Sequence, residues 1–435
     1  MTSRLAQPPG RFRAEAVAKL SDPNAQGMLD EATARLYRHR VDAWAALGDV
    51  AALRERAREI RTRTMDDLER HLEDFREAAE GRGAVVHRCA TAAQARATVV
   101  EVCRRAGARR AAKAKSMTTE EIGLNGALET AGISVVETDL GEHILQLAGE
   151  PPAHIVAPAI EKTAVQVAEL FSREGDRVSA ELGDLTRTAR HRLREAFFAA
   201  DVGITGANFG VAETGSICLA TNEGNGRLVT ALPRVHVVVM GIERIVPTLA
   251  ELVVLLKLLA RSATGQKLTT YTTLVTGPRR AGEKDGPEEM HVVLVDNGRT
   301  DLLGGRYREM LNCFRCGACI NVCPVYRKAG GAAYGPVYSG PMGAVLAPLL
   351  AGLEHAPDHP HASSLCGACT AACPVKIPLH ELLLELRRDR VETRIASRRE
   401  RLAFMLWSLA WSRPLGYRLS TLAARFARPL AARTR

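Results

Sequence analysis

The sequence has no apolar run near the ~18 residues that a membrane-spanning helix requires, so a chain threaded through a bilayer by such helices is excluded. Its opening stretch, MTSRLAQPPGRFRAEAVAKL, lacks the apolar centre of a secretory signal. There is no GxGxxG ahead of a helix, no GxxxxGK(S/T) and no HExxH, which removes dinucleotide, P-loop and zinc-protease readings. Net charge is also missing from most of the chain. Residues 387–435 hold thirteen Arg and three acids, a net +10 that equals the formal charge of all 435 residues, so everything before Arg387 sums to zero. A neutral body gives a polyanion no footprint, and no nucleic-acid partner is expected.

What is present is an ordinary globular composition, 46% apolar and 25% charged, long enough for roughly two to three domains. Residues 1–80 carry apolar side chains at helical spacing and opposite charges three or four apart, closed by Gly81 and Gly83, which predicts a helical N-terminal region. From 81 to 300, β-rich runs at 84–89, 134–140, 154–159, 235–241 and 291–296 alternate with helical stretches at 91–106, 119–131, 161–173, 186–200 and 247–261. That alternation predicts an α/β domain with a largely parallel sheet. VHVVVMG (235–241) is apolar on both faces and is expected at its centre. The segment 200–221, broken by Gly203, Gly206, Gly210 and Gly215, reads as an inserted hairpin or meander. Residues 301–386 hold seven of the ten cysteines, and 387–435 form a basic amphipathic tail. With no secretory signal, thiols so clustered point to a reducing compartment and to metal or catalysis rather than disulfides.

The first cysteine group is Cys313-x2-Cys316-x2-Cys319-x3-Cys323-Pro324, the bacterial ferredoxin run. Three thiolates so spaced wrap one face of a cubane, Gly317 lets the backbone approach, and the fourth thiolate points toward a different cluster. Structural zinc uses two separate Cys-x2-Cys pairs rather than four cysteines in eleven residues, so iron–sulfur chemistry is expected. The second group, Cys366-x2-Cys369-x3-Cys373-Pro374, matches the last three ligands of the same run, with Ser363 where the first would stand. In two-cluster ferredoxins the last cysteine of each run crosses to the other cluster. Cys313, Cys316, Cys319 and Cys373 are therefore expected on one cluster, and Cys323, Cys366 and Cys369 on the other. For the second, three outcomes stay open. One is a 4Fe-4S cluster with an unusual or open fourth position (Ser363, a histidine or water), which is preferred. The others are a 3Fe-4S cluster and a fourth ligand from elsewhere. The isolated Cys89, Cys103 and Cys218 read as small buried hydrophobes.

Two segments of the body bear polar groups in suggestive places. In KAKSMTTEEIGLN (113–125), Thr118 and Glu121 make a capping box with Lys113 and Lys115 just ahead, either an anion site or, preferred, an ordinary cap with solvated lysines. In 205–228, glycines flank Glu213, Thr214, Ser216, Asn222 and Glu223, as in a site for a small anion or carbonyl compound, or as in plain turns. Glu213 is the candidate catalytic acid or base.

CFRCGACINVCPVY, GGAAYGPVYSGPMGAVLAPLL and SSLCGACTAACPVKIPLHELLLELR resemble the lactate utilization protein B family, which joins a lactate-utilization (LUD) domain to a two-cluster ferredoxin-like segment. EEIGLN, VVETDLGEHILQLAGEPPAHIVAPAI, ADVGITGANFGVAETGSICLATNEGNGR and VHVVVMGIERIVPTL are similar to the LUD pattern, and the similarity runs over roughly residues 60–390. The resemblance implies a body folded like sugar-phosphate isomerases and CoA transferases. It also implies the iron–sulfur electron-transfer subunit of a complex that oxidises L-lactate to pyruvate. LutA-like and LutC-like subunits would be its partners, with an unidentified electron acceptor. It carries the ligand role to Cys313, Cys316, Cys319, Cys323, Cys366, Cys369 and Cys373. A cytoplasmic chain is expected, with 398–418 touching the inner face of the membrane or packing on a partner. Two rival readings are an isomerase- or transferase-like enzyme with redox-sensing clusters, and a cluster-stabilised protein that binds membrane or RNA.

Overall fold

Val235–Gly241 is buried at every position, as a run apolar on both faces demands, and it lies inside a six-stranded sheet. The computed structural model describes residues 5, 7–173, 175–335 and 337–431. Its strands are β1 (Val85–Cys89), β2 (Arg110–Lys113), β3 (Ser134–Glu137), β4 (Val202–Thr205), β5 (Phe209–Val211), β6 (Ser216–Thr221), β7 (Val235–Gly241), β8 (Ile245–Val246), β9 (Tyr271–Val275) and β10 (Glu289–Val295). The large sheet runs β1-β10-β7-β4-β2-β3, parallel throughout, so the α/β expectation holds.

Alternation along the strands builds two cores. Val237, Val239, Val293 and Val295 face one side, where the helix Ala92–Arg105 buries Ala95, Val99, Val102 and Cys103. Val238, Met240, Val292 and Leu294 face the other, where the helix Leu68–Glu80 buries Leu68, Leu72, Phe75 and Ala79. Cys89 and Cys103 lie in the first core and Cys218 in β6, all buried, as small hydrophobes.

The segment 200–221 divides. β4 joins the large sheet, while β5 and β6 form an antiparallel hairpin in a second sheet of order β8-β5-β6-β9. Gly215 turns that hairpin at φ 68°, and a Cβ there would stand 2.3 Å from the Ala79 nitrogen. The strand expected at 154–159 does not form. His154 Nδ1 accepts from the amides of Val156 (3.0 Å) and Ala157 (3.1 Å), which curls the chain into a loop.

The described chain forms two compact units, Met1–Leu384 and Glu385–Arg435. The first holds the N-terminal helices Arg11–Leu20, Pro23–Ala45, Val50–Asp66 and Leu68–Glu80, both sheets and all seven clustered cysteines. Within it Arg61, fully buried, donates to the carbonyls of Ile245 (2.8 Å), Leu311 (2.9 Å), Asn312 (3.3 Å) and Glu243. This bolts the cysteine segment to the end of the sheet. The second unit contains the helices Arg398–Trp411 and Pro414–Ala431. Residues 1–4 and 6 of the expected helical region and 432–435 of the tail lie outside the described residues. Among the described residues no helix is long and apolar enough to cross a membrane.

Candidate metal centre and adjoining cleft

Two similar turns present the thiols. Gly317 and Gly367 open the short helices Ala318–Asn321 and Ala368–Ala372 at φ 81° and 78°. At 317 a Cβ would also stand 2.9 Å from Ile155 Cγ2, so glycine lets the Cys316–Cys319 turn lie on the loop around His154. Backbone N–H groups point at sulfur. Cys313 Sγ accepts from Arg315 N (3.4 Å), Cys323 Sγ from Tyr326 N (3.5 Å) and Cys373 Sγ from Ile377 N (3.3 Å). Such donors favour the thiolate, the form that binds iron.

The seven thiols gather in two neighbourhoods. Burial pushes Cys319 far up, and repulsion from Cys313, Cys316, Cys369 and Cys373 adds to it. Burial raises Cys316, with Cys373 and Cys313 reinforcing the shift. Burial lifts Cys373 to about 12, Cys313 again adding. In the other group, burial and then Cys323 lift Cys369 to about 11, with Cys366 contributing, and Cys323 is raised by burial with Cys366 as its thiol neighbour. Cys366 is exposed, and the Ala368 N–H followed by the Ser364 side chain lowers it. The structure thus brings Cys313, Cys316, Cys319 and Cys373 together, sets Cys323, Cys366 and Cys369 beside them, and joins the groups through Cys319 and Cys369. Ser363 Oγ accepts from Leu365 N at 3.1 Å. Among the described residues no three His, Cys, Asp or Glu side chains converge on a single-ion position. A soft, all-thiol donor set spread over two neighbourhoods fits multi-iron clusters.

Cationic groups surround the four-thiol group. Arg54 donates to the carbonyls of Cys373 (2.7 Å) and Ala371 (2.9 Å) and lies 4.9 Å over the Trp44 ring. Arg40 stacks on the same ring at 4.8 Å. Behind them runs a buried network. Arg299 meets Glu121 through Nη2 (2.7 Å) and Nη1 (2.9 Å) and Glu243 through Nε (2.6 Å). Arg315 meets Glu243 at 2.7 Å, and Tyr338 Oη donates to Glu121 at 2.6 Å. Burial alone would push the Glu243 carboxyl up, but Arg299, Arg315 and Arg244 outweigh it and hold it at about 2.

A cleft of about 250 Å³ opens where β2 and β4 end, and one wall is formed by Phe314, Arg315 and Cys316. Lys115, Asp139, Glu223 and Arg244 also line it. Arg244 is 6% exposed, and its Nε and Nη1 have no hydrogen-bond partner among the described residues. Burial and then Arg315 lower its pKa to about 9, against the pull of Glu243 and Cys313.

Three readings of the body need correction. Glu213 is exposed and outside the cleft; its Oε2 accepts from Leu249 N (2.9 Å) at the start of the helix Leu249–Ala263. Glu223, ten residues further along the same glycine-rich segment, reaches the cleft beside Asn222. Burial and then Asp139 raise its carboxyl, while the Leu140 N–H and Lys115 pull it down. Lys113 is not solvated but fully buried, paired with Glu137 (2.8 Å) and Glu120 (3.2 Å). The cap of the helix Met117–Ile122 is Ser116, accepting from Thr119 N at 3.3 Å, and the Glu121 side chain goes to Arg299 instead of a capping box. Arg244, Arg299 and Arg315 were invisible to spacing arguments, because nothing local marks an arginine for burial.

A family model described as the LUD domain matches residues 72–295, and one described as the 4Fe-4S dicluster domain matches 309–377. Proteins named "Lactate utilization protein B" are similar over nearly the whole chain. That of Shouchella clausii is 50% identical over 92% of this chain and 85% of its own. That of Bacillus velezensis is 49% identical over 91% and 84%. A DUF162 family protein from Deinococcus radiodurans, known by crystal structure, overlaps 52% of this chain and 98% of its own at 18% identity with a TM-score of 0.31.

Proposed function

We propose, given that the chain belongs to the lactate utilization protein B family, that it is the iron–sulfur subunit of a complex through which cells oxidise L-lactate to pyruvate. One observation supports this reading most: seven cysteines lie in the segment that matches the 4Fe-4S dicluster domain, with Cys313 of the first run a charge neighbour of Cys373 and Cys366 of the second a charge neighbour of Cys323. Bound there, iron–sulfur clusters supply one-electron transfer. The chain's own residues shape that capacity. Burial of Cys316, Cys319 and Cys373 keeps water away, the amides of Arg315, Tyr326 and Ile377 stabilise thiolate charge, and Arg40 and Arg54 add positive field. The seven-thiol set makes a 4Fe-4S cluster with a non-cysteine fourth ligand the reading for the second group.

Lactate oxidation releases two electrons, and no flavin or nicotinamide fingerprint lies in the sequence. LutA-like and LutC-like partners are therefore assigned the remaining steps and the route to an acceptor. The purified chain is expected to be brown, to bleach with dithionite, and not to bleach with L-lactate until partner subunits are added. Rapid multiple turnover of L-lactate by the pure single chain would contradict the subunit reading.

The tail supports a second element of the proposal, attachment to the inner face of an anionic membrane. Phe404 is 64% and Trp407 55% exposed, with Leu402, Leu406, Leu409 and Trp411 also exposed near Arg398, Arg399 and Arg401. The full chain is expected to float with anionic liposomes and a chain ending after Arg390 to stay behind. Equal flotation of both dismisses the attachment.

A further inference from the structure

Two arginines near the four-thiol group give their donors to backbone carbonyls, and Arg40, stacked on Trp44, leaves its Nε without an acceptor among the described residues. Arg61 gives its N–H groups to four carbonyls, and Arg54 gives its own to Ala371 and Cys373. Arg244 differs. It is more than nine-tenths buried, it lines the cleft, and Nε and Nη1 meet no acceptor among the described residues. Arg315, in the same wall, leaves its Nε unpartnered too. Buried donors without acceptors are costly, and a buried guanidinium more so, unless an anion completes them.

We propose that this cleft binds a small monocarboxylate of the 2-hydroxy or 2-oxo acid class, with Arg244 receiving the carboxylate beside Cys316. Size selects the ligand. At about 250 Å³ the cleft falls below the range of about 300–1,000 Å³ for drug-sized molecules, so it suits an acid of a few heavy atoms and not a nucleotide. Charge selects the headgroup: a buried guanidinium with donors left over takes an anionic oxygen, as a carboxylate supplies. Lys115 adds positive charge. The two acids in the lining each give one oxygen to an amide at the start of the helix Leu140–Ala148: Asp139 Oδ1 accepts from Glu142 N (3.2 Å) and Glu223 Oε2 from Leu140 N (3.0 Å). The inference rests on the lactate reading above and adds the place where the acid binds.

The competing role for Arg244 is to offset charge on the four-thiol group, and Arg244→Lys separates the two, since it keeps the charge and loses the planar donors. Calorimetric titration of the anoxically purified full chain with L-lactate, pyruvate and inorganic phosphate is the test. Saturable binding of L-lactate or pyruvate is expected, weakened at least about tenfold in Arg244→Lys with iron content and visible spectrum unchanged. Lys115→Met is expected to weaken it several-fold, which keeps the test open should Arg244→Lys fail to fold. Unchanged affinity in the variants, absence of binding by wild type, or tighter binding of phosphate than of either acid overturns the site. Lactate oxidation by the assembled complex is measured separately. Oxidation without binding to this chain defeats the cleft and leaves the subunit reading intact, whereas binding without any oxidation by the complex does the reverse.

Discussion

Replacing Cys373 by alanine removes the same cluster as replacing Cys316, although Cys373 lies in the run that carries Cys366 and Cys369. The expectation comes from neighbours in space. The Cys373 thiol lies by Cys313 and is among those that press on Cys316 and Cys319, whereas Cys369 answers to Cys323 and Cys366. Each single variant is expected to lose roughly half of the bound iron if, as proposed, the chain holds two four-iron clusters and one has lost a ligand. Electron paramagnetic resonance of the dithionite-reduced proteins then sorts them. Cys316→Ala and Cys373→Ala should lack one signal, and Cys323→Ala and Cys369→Ala the other. A Cys373→Ala spectrum matching that of Cys369→Ala would break the crossed assignment.

Loss of Arg299 is the second large effect. Its guanidinium, 1% exposed, holds two carboxylates that are themselves buried, Glu121 and Glu243. Arg299→Met leaves both without their shared partner, at a cost of about 3–5 kcal/mol, since removing one side of a buried ion pair strands the other. The pH dependence has a defined sign. In the wild type Glu243 is held at about 2, below its ordinary value, so its contribution is complete above about 4.5 and fades as pH falls toward 2. In Arg299→Met the carboxyls rise instead, so protonation relieves them. The gap in stability between the two proteins should narrow as pH falls below about 4.5. Denaturant unfolding at pH 7 and pH 4 measures it, and a gap that is constant or widens in acid would contradict the network's role.

What the sequence disclosed and withheld follows from the range of the forces involved. The cysteine runs are local, with spacing set by the cubane, so an iron–sulfur segment was legible in the sequence, as the dicluster domain match over 309–377 bears out. Val235–Gly241 was legible because two buried faces require an unbroken apolar run. β2, with the sequence RAAK, has no β-branched residue and is a strand only because β3 and β4 flank it. The run at 154–159 has the composition of a strand, yet its own histidine side chain captures the amides that a ladder would use. Lys113 looked solvated because its partner Glu137 is on the adjacent strand, and Glu213 looked catalytic because glycines around it permit a site, whereas its carboxylate caps a helix. The cleft itself is assembled from segments near residues 115, 139, 206, 223, 244 and 315, a distance in sequence that no motif spans.

Mössbauer spectroscopy of the anoxically purified chain, with iron and acid-labile sulfide assayed on the same sample, bears most directly on the claim that two thiol groups hold two clusters. Cubane iron in two environments with matching sulfide is the predicted result. A colourless protein that contains zinc and no sulfide would contradict it.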